Sequence, residues 1–592
     1  MKNSIPIPYA FSAPTLNKQK GAALILLVFA LILVVLAYTV RALNSNDLQA
    51  RENAKTFQAL AEAKVALISW SVNHQSLPGM MPYPDRNGDG DYDGTSDCYA
   101  SNVSFSYSFL LGELPIFDTQ DTNCAATSRA GLGLDLRDGT GQRLWYAVSR
   151  NLVRDYHTPA TDPVINPGVI NNPSYLWMTV YDKNGQLISD KVAAVIIAPS
   201  APLNGQDRSS GIAGAPDYLD TFNLQAGGGA KSNRTYSSAD EDFYIGEDSR
   251  GVRSDNTTYQ QPYYFNDKLV YITIDELMAE IEKRTAGEAR KALQSYYTNS
   301  SATPSTRFFP YAAALGSPVN PNQCVRGNLQ GLLPTSTASN YTCSCTNSRA
   351  CTCNFGALSS VAFTRSSSSY GTTGTGAPAG ACTVGGASNR TCTCTGLGSC
   401  KNTTGTVQFS CDACGSCTST LAGSFLFAST AGFSARTGGC TTSGSNISCN
   451  GTTAGNFTLN SCTNPVIPTS ASGLPTWFTT NGWQNYIYYA VSSNCTSLGA
   501  NCTTATPQLT VGPRTGVRSL LISSGKPIIA SPFASSKAAA QATRPSCDVK
   551  DYLDSTQNTN ATLVNGSADL VYDATNTARS SSYNDQMFIV AP

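Results

Sequence analysis

The chain has 592 residues, and charged residues make up only 13% of it, against about 25% in an average soluble domain. That length exceeds what one ordinary hydrophobic core can serve, so two or more domains are expected. The 39 basic residues balance the 39 acidic residues, which leaves no net positive field to attract nucleic acid. Gly, Ser, Thr and Asn supply the polar surface instead, a composition that favours an extracytoplasmic protein over a cytosolic enzyme.

A long apolar segment follows the first 21 residues. Residues 22–40 contain no charged side chain, and a helix of that length crosses a hydrocarbon layer of about 30 Å. Lys18 and Lys20 precede the segment, so the positive-inside rule places the N-terminus in the cytoplasm and the remainder outside it. No convincing small-x-small cleavage site follows, which favours a retained anchor over a cleaved signal peptide. We therefore predict a transmembrane helix over residues 22–40.

The helix is predicted to continue as an amphipathic extension over residues 41–75. No Pro or Gly occurs between Asp47 and Pro78. Apolar residues recur at the three- and four-residue steps of one helix face, namely Phe57, Ala61, Val65, Ile68 and Val72. We predict that this stripe carries a globular head. From Ala22 to Asn73 the helix would extend about 78 Å.

The residues around Gly21 resemble the start of a type IV prepilin or pseudopilin. A short basic leader ends in Gly21, and a small apolar residue, an apolar helix and an amphipathic extension follow. The resemblance covers residues 1–75 alone. It implies that a prepilin peptidase removes the leader, residues 1–21, by cleavage between Gly21 and Ala22 and then methylates the new N-terminus. The alternative is a plain signal anchor with a chance glycine.

The same resemblance implies partners and a location. Other pilin-like subunits would contact the N-terminal helix. Before assembly this helix would be a single-pass inner-membrane segment with a cytoplasmic N-terminus and a periplasmic ectodomain, and afterwards part of a cell-surface filament. Major pilins have Glu at the fifth mature position, where a carboxylate neutralises the N-terminal amine of a neighbouring subunit, whereas this chain has Leu26. Family members without that Glu tend to be minor subunits that start or cap the filament.

The rest of the chain contains an internal repeat. Seven sequence blocks occur twice in the same order, including "GELP" with "GLLP", "DGTGQRLWYAVSRN" with "NGWQNYIYYAVSSN", "DYLD" with a second "DYLD", and "FNDKLVYI" with "YNDQMFIV". Aromatic and β-branched residues between turn formers predict strands and hairpins in both copies. A Thr273-x-x-Glu276 capping box predicts the start of a second helix.

Together these features predict an α+β fold. A long N-terminal membrane helix is followed by two tandem pilin-like units, each a helix plus an antiparallel sheet. The first β-rich head covers residues 76–272. The second unit covers residues 273–334 and 476–592, and a large cysteine-rich β insertion covers residues 335–475.

The insertion is rich in cysteine and poor in charge. It contains 14 of the 20 cysteines and six charged residues, of which Asp412 is the only acid. In an exported chain such density predicts disulfides, with the pairing left open. Cys411, Cys414 and Cys417 also have the spacing of a zinc or iron–sulfur ligand run, a less favoured interpretation. The candidate disulfide cysteines are Cys98, Cys124, Cys324, Cys343, Cys345, Cys351, Cys353, Cys392, Cys394, Cys400, Cys411, Cys414, Cys417, Cys495 and Cys502.

An acidic run, "DRNGDGDYDG", predicts a Ca²⁺ site in the first head. Its oxygen-bearing side chains lie two residues apart, as in a loop that wraps a hard cation, and they are Asp85, Asn87, Asp89, Asp91 and Asp93. Gly90 matches the EF-hand glycine, whereas Ser96 replaces the bidentate Glu of the twelfth position. The alternative is a polar turn with solvated charges. The second copy of the repeat lacks these acids.

Catalysis finds little support in the residue types present. The chain has two histidines, His74 and His157, and neither a G-x-S-x-G motif nor a P-loop. The "DYLD" segments are interpreted as turns or strand ends. We expect a non-enzymatic minor pilin-like or pseudopilin-like subunit at the tip of a type IV pilus or a protein-secretion filament, with the insertion serving adhesion or partner contact. The alternative is a membrane-anchored extracytoplasmic adhesin that does not assemble into a filament.

Overall fold

Two long helices, each followed by an antiparallel sheet, organise the chain. The computed structural model describes residues 20–86, 92–97, 104–117, 131–154, 163–203, 205–209, 214–223, 230–246, 265–313, 315, 329–335, 473–496, 502, 509–528, 541, 544–546, 548–560, 570–573 and 583–591, and the backbone of short strands between residues 340 and 460. Its helix and strand content is mixed, with five α-helices in these described residues.

The first unit combines helix α1 with a six-stranded sheet. Its elements in chain order are α1 Lys20–Asn73, β1 Leu111–Glu113, β2 Trp145–Val148, β3 Met178–Tyr181, β4 Leu187–Ala198, α2 Ala215–Tyr218, β5 Thr221–Asn223, β6 Ala230–Ser232, β7 Asp242–Tyr244 and β8 Lys268–Thr273. Strand β4 is central, because β2, β3 and β8 all pair with it antiparallel. Its residues 192–198 are buried without a break, as expected of a strand covered on both faces of the sheet.

The second unit begins with a long helix, and the insertion separates its first strand from the rest. It opens with α3 Ile274–Asn299 and β9 Gln330–Leu332. The insertion contains β10 Asn340–Asn347, β11 Ala350–Phe355, β12 Leu358–Ser366, β13 Ser369–Thr373, β14 Cys392–Thr395, β15 Gln408–Cys411, β16 Ser416–Thr420, β17 Phe425–Ala428, β18 Cys440–Ser443, β19 Asn446–Cys449 and β20 Gly455–Asn460. The unit resumes with α4 Thr476–Thr480, β21 Ile487–Val491, β22 Leu509–Val511, β23 Arg514–Val517, β24 Ser519–Ser523, α5 Thr556–Asn560, β25 Val571–Tyr572 and β26 Gln586–Ala591.

The two units share one sheet topology. Strand order is β1-β2-β4-β8 in the first and β9-β21-β24-β26 in the second. The register also corresponds, because Gly112 lies opposite Tyr146 in one sheet and Gly331 lies opposite Tyr489 in the other. In addition, β7 lies parallel to β3, as β25 lies parallel to β22. The repeated sequence blocks therefore form equivalent strands.

Helix α3 connects the two units. Thr273 is its N-cap, as the capping box predicts, and the Thr273 hydroxyl accepts a hydrogen bond from the Glu276 amide at 3.2 Å. The helix packs against β24 and β26 of its own unit, against β4 and β8 of the first unit, and against α1. One hydrophobic core accordingly includes Trp70 of α1, Ile281 of α3 and Trp483 of the second sheet region.

The membrane helix predicted from the sequence has to be corrected. Among the helices whose residues are described, none has the length and sustained apolar character needed to cross a bilayer. The membrane helix in the predicted fold class and the predicted single-pass inner-membrane location are therefore wrong.

The face of α1 that carries the head is also different from the predicted stripe. Phe57 is 55% exposed and Val65 is 68% exposed. The head packs on the adjacent face, whose buried apolar residues are Ala59, Leu60, Ala63, Leu67 and Trp70. Both sets recur at helical spacing, so α1 has two apolar stripes. The one identified from the sequence is exposed at Phe57, Ala61 and Val65, whereas its last members, Ile68 and Val72, are partly buried and pack against the core.

Candidate functional site

Helix α1 leaves the head at its N-terminal end. The head meets the helix near Glu52, where the backbone approaches Gly139 so closely that a side chain on Gly139 would clash with the Glu52 carbonyl. The Gly139 amide also donates a hydrogen bond to Thr56 Oγ1 at 2.9 Å. Before that point the described apolar side chains are exposed, namely Leu31 at 60%, Ile32 at 50%, Val34 at 69% and Leu48 at 60%. This part of α1 is therefore open to a partner.

The predicted processing residues lie at the start of α1. Gly21 and Ala22 are the second and third residues of the helix that begins at Lys20. Most of the predicted leader, residues 1–19, lies outside the described residues, so cleavage at this junction stays a prediction.

The predicted calcium loop begins at a buried carboxylate. Asp85 is 1% exposed, and its Oδ2 accepts a hydrogen bond from the Gly94 amide at 2.7 Å. Arg143 lies between two acids, with Nη1 at 3.8 Å from Asp85 Oδ2 and 3.2 Å from Glu113 Oε2. Burial, followed by the charges of Glu113 and Asp97, raises the pKa of Asp85 to about 9. Burial likewise raises the pKa of Glu113, against the lowering effect of Arg143.

The other predicted calcium ligands are only partly described. Asn87, Asp89 and Asp91 lie outside the described residues. The Asp93 side chain is exposed, and its Oδ1 accepts a hydrogen bond from the Thr95 amide at 2.7 Å. Within the described ranges no group of three or more His, Cys, Asp or Glu side chains has a metal-binding arrangement. The buried Asp85 Oδ1 has no hydrogen-bond partner there, and it is the oxygen of this loop that a cation would satisfy.

A pair of buried aspartates, which the sequence did not single out, connects the first "DYLD" segment to strand β8. We call Asp220 and Asp267 the first aspartate clamp. The Asp220 amide donates to Asp267 Oδ2 at 2.9 Å, and the Asp267 amide donates to Asp220 Oδ2 at 3.1 Å. Asp220 also accepts hydrogen bonds from the Asn266 amide at 2.6 Å and the Gln206 side chain at 2.9 Å. The Asn233 side chain donates to Asp267 Oδ2 at 3.3 Å.

The second unit contains the same arrangement, formed by Asp554 and Asp585, which we call the second aspartate clamp. The Asp554 amide donates to Asp585 Oδ2 at 2.9 Å, and the Asp585 amide donates to Asp554 Oδ2 at 3.2 Å. Asp554 accepts hydrogen bonds from the Asn584 amide at 2.7 Å and the Gln541 side chain at 3.0 Å. The Asn558 side chain lies beside Asp585 and lowers its pKa, in the place that Asn233 takes in the first unit.

An arginine supports each clamp through backbone carbonyls. Arg208 Nε donates to the Asp217 carbonyl at 2.9 Å and its Nη1 donates to the Ser200 carbonyl at 2.7 Å. In the second unit Arg544 Nε donates to the carbonyl of Asp551 at 2.7 Å. Both "DYLD" segments are therefore held by a guanidinium at their first residue and by the clamp at their last.

The clamps shift the acidity of their members. Burial raises the pKa of Asp220 to about 6 and that of Asp554 to about 6. Burial and the neighbouring aspartate raise the pKa values of Asp267 and Asp585 well above the usual range. The two members of the first clamp are 47 residues apart in the chain, so spacing alone gave no sign of their contact. The sequence signal was the double recurrence of "DYLD" together with Asn-Asp at the start of the last strand.

The candidate disulfide cysteines are described only in part. Cys495 and Cys502 form a disulfide bond in the second unit, and both are buried. Strands of the insertion contain Cys343, Cys353 and Cys411 in their backbone. The side-chain pairing of the insertion cysteines lies outside the described residues and stays a prediction.

Comparison with known proteins adds no assignment. No family model, no curated protein and no solved structure matches this chain. The arrangement of α1, the two sheets and the two clamps therefore supplies the basis for a functional interpretation.

Proposed function

We propose that this protein is a non-enzymatic pilin-like subunit that joins a filament through helix α1 and displays its two units as a head. The observation that carries the proposal is the exposed apolar surface of α1 before Thr56, represented by Leu31, Ile32, Val34 and Leu48. Large apolar side chains that face solvent on one continuous helix favour a packing partner, and neighbouring helices are suitable partners for such a surface.

The proposed position in the filament is the tip. Leu26 provides no carboxylate for the N-terminal amine of a neighbouring subunit, so a subunit that repeats along the filament would leave this pair unmade. The two-unit head is also larger than one helix with one sheet, which suits an end position where fewer neighbours surround it. The cysteine-rich insertion, whose strands form two further sheets, would contact a surface or a secreted protein from there.

The mature N-terminus tests this proposal. Mass spectrometry of the protein purified from producing cells should find chains that begin with N-methylated Ala22. The Gly21→Val variant should keep its leader, because a bulky side chain then replaces the glycine at the cleaved bond. The control Ala13→Val lies within the leader and away from the junction, and it should be processed normally. An intact Met1 on the wild-type protein would contradict the pilin-like assignment.

A further inference from the structure

The two aspartate clamps place paired carboxyl groups in contact inside the protein. All four aspartates are buried, and the Oδ1 atoms of Asp267 and Asp585 have no hydrogen-bond partner among the described residues. In the described part of the chain none of the four forms an ion pair. Two ionised carboxylates in this position would repel each other in a medium that screens charge poorly. A shared proton removes that repulsion.

The charged groups around the first clamp do not neutralise its two carboxylates in place of a proton. Arg234 and Arg208 act on Asp220 electrostatically. Their guanidinium groups nevertheless bond to backbone carbonyls, since Arg234 donates to Leu219 and Arg208 donates to Ser200 and Asp217. Tyr218 and Asp138 lie further around Arg208. Arg208 thus interacts with both Asp220 and Asp267, but in the described residues neither carboxylate accepts a hydrogen bond from an arginine.

The second clamp has a different set of charged neighbours. Arg544 acts on both Asp554 and Asp585 and lowers the pKa of each, and Asp551 and Tyr552 lie on the other side of Arg544. In the first unit Arg208 likewise interacts electrostatically with both Asp220 and Asp267.

We propose that each aspartate clamp holds one proton at neutral pH and connects the "DYLD" segment to the last strand of its sheet in a pH-dependent manner. In acid the clamp is closed by the hydrogen bonds from each backbone amide to the partner aspartate's carboxyl group. In alkaline solution the proton leaves and the two carboxylates repel each other. Strand β8 leads directly into α3, so opening of the first clamp also loosens the helix that joins the units.

The pH dependence follows from the direction of the pKa changes. A buried acid whose pKa is higher in the folded protein stabilises the fold below its unfolded pKa, and that contribution is lost as the pH rises through the folded value. For Asp220 and Asp554 the loss begins between the ordinary aspartate value and about 6. For Asp267 and Asp585 it extends to higher pH. The clamps therefore favour the folded head in acid.

Isosteric variants test the proposal on the full chain. Asp267→Asn and Asp585→Asn imitate the protonated acid and cannot ionise. The wild-type melting temperature should fall from pH 6 to pH 9, and each variant should melt higher than the wild type at pH 9, by about 2–4 °C. The difference should shrink as the pH falls and vanish near pH 4, around the ordinary aspartate pKa. The matched control is Asp182→Asn, an exposed aspartate with hydrogen bonds to local amides, which should show no gain in alkali.

Infrared spectroscopy provides a second readout that a purely structural role would not change. The wild-type protein at pH 7 should show the carbonyl stretch of a protonated, buried carboxyl group, and each clamp variant should lose part of that band. The absence of this band from the wild type at pH 7 would overturn the proposal even where a variant fails to fold. Equal alkaline slopes for the wild type and both variants would overturn it as well.

Discussion

Asp85 illustrates what burial does to a single acidic residue of this protein. Its Oδ2 has the Gly94 amide as a hydrogen-bond donor, whereas Oδ1 is buried without a partner among the described residues. An unsatisfied buried oxygen costs free energy, and the like charges of Glu113 and Asp97 add to that cost. A bound cation or a proton would relieve it, and the alternating acids that follow Asp85 in the sequence favour the cation.

Calcium should therefore stabilise the first unit. A ligand that binds only the folded state raises stability by mass action, so the melting temperature should rise on addition of Ca²⁺ and fall with a chelator. The Asp89→Ala variant should lose this response, because it removes a predicted ligand carboxylate. Asp548→Ala, in the second unit, should retain the full response. Identical melting of the wild type with calcium and with chelator would refute the site.

Residue-level prediction from the sequence succeeded where neighbours in the chain supply the answer. The Thr273 cap needs only Glu276, three residues on, and it forms as predicted. The clamps could not be predicted in this way, because Asp220 and Asp267 come from different segments and each resembles a solvated turn residue. An aspartate in a turn is usually exposed, so their burial becomes evident only from the fold.

At the scale of an element, helix α1 shows the same limit of prediction from the sequence. Its sequence carries two apolar stripes, one through Phe57 and Val65 and the other through Leu60 and Leu67. Helical periodicity identifies a stripe without stating which structure covers it. The sheet of the first unit and α3 cover the second stripe, since Leu60 and Leu67 are completely buried. The first stripe is exposed at Phe57 and Val65, and only its last members, Ile68 and Val72, pack against the core.

Substitutions on the two stripes should have opposite consequences. Leu60→Ala should lower the free energy of unfolding by about 2–5 kcal/mol, because it leaves a cavity in the core. Phe57→Ser should change it by less than about 0.5 kcal/mol, as expected at an exposed position. Under the proposed function, Phe57→Ser should instead reduce recovery of the protein in sheared filaments.

Denaturant unfolding and immunoblotting of the filament fraction measure these two effects separately. Gln58→Ser, an exposed change next to Phe57, is the control for both assays and should behave as the wild type does. A large loss of stability in Phe57→Ser would show that its stripe is buried against the head. Normal filament recovery would remove this stripe from the assembly surface.

At the scale of the whole molecule, the chain consists of two copies of one unit, and the two copies share one hydrophobic core. The repeat was visible in the sequence because its blocks include turn formers and strand patterns in a fixed order, and these blocks occupy equivalent strands. The shared core was not visible, because repetition suggests two separate units. In the fold, Asn481 of the second unit accepts a hydrogen bond from the Ile165 amide of the first at 3.0 Å, and Lys64 of α1 pairs with Glu276 of α3 at 2.8 Å.

Arg284 offers the sharpest test of this integration, because it touches three parts of the molecule. From α3 its guanidinium donates to the carbonyl of Val72, in the last turn of α1, and to that of His74, just beyond the helix. It also lies 5.3 Å from the ring centre of Trp477 in the second unit. Arg284→Ala should lower the free energy of unfolding by about 1–3 kcal/mol, since it leaves partly buried carbonyls without their donor.

Amide hydrogen exchange in the Arg284→Ala variant should then accelerate in β2 and β21 together, because α3 and the shared core couple the two sheets. Arg290→Ala removes an exposed arginine from the same helix and should leave both strands protected. Faster exchange confined to one strand would show that the two units open independently.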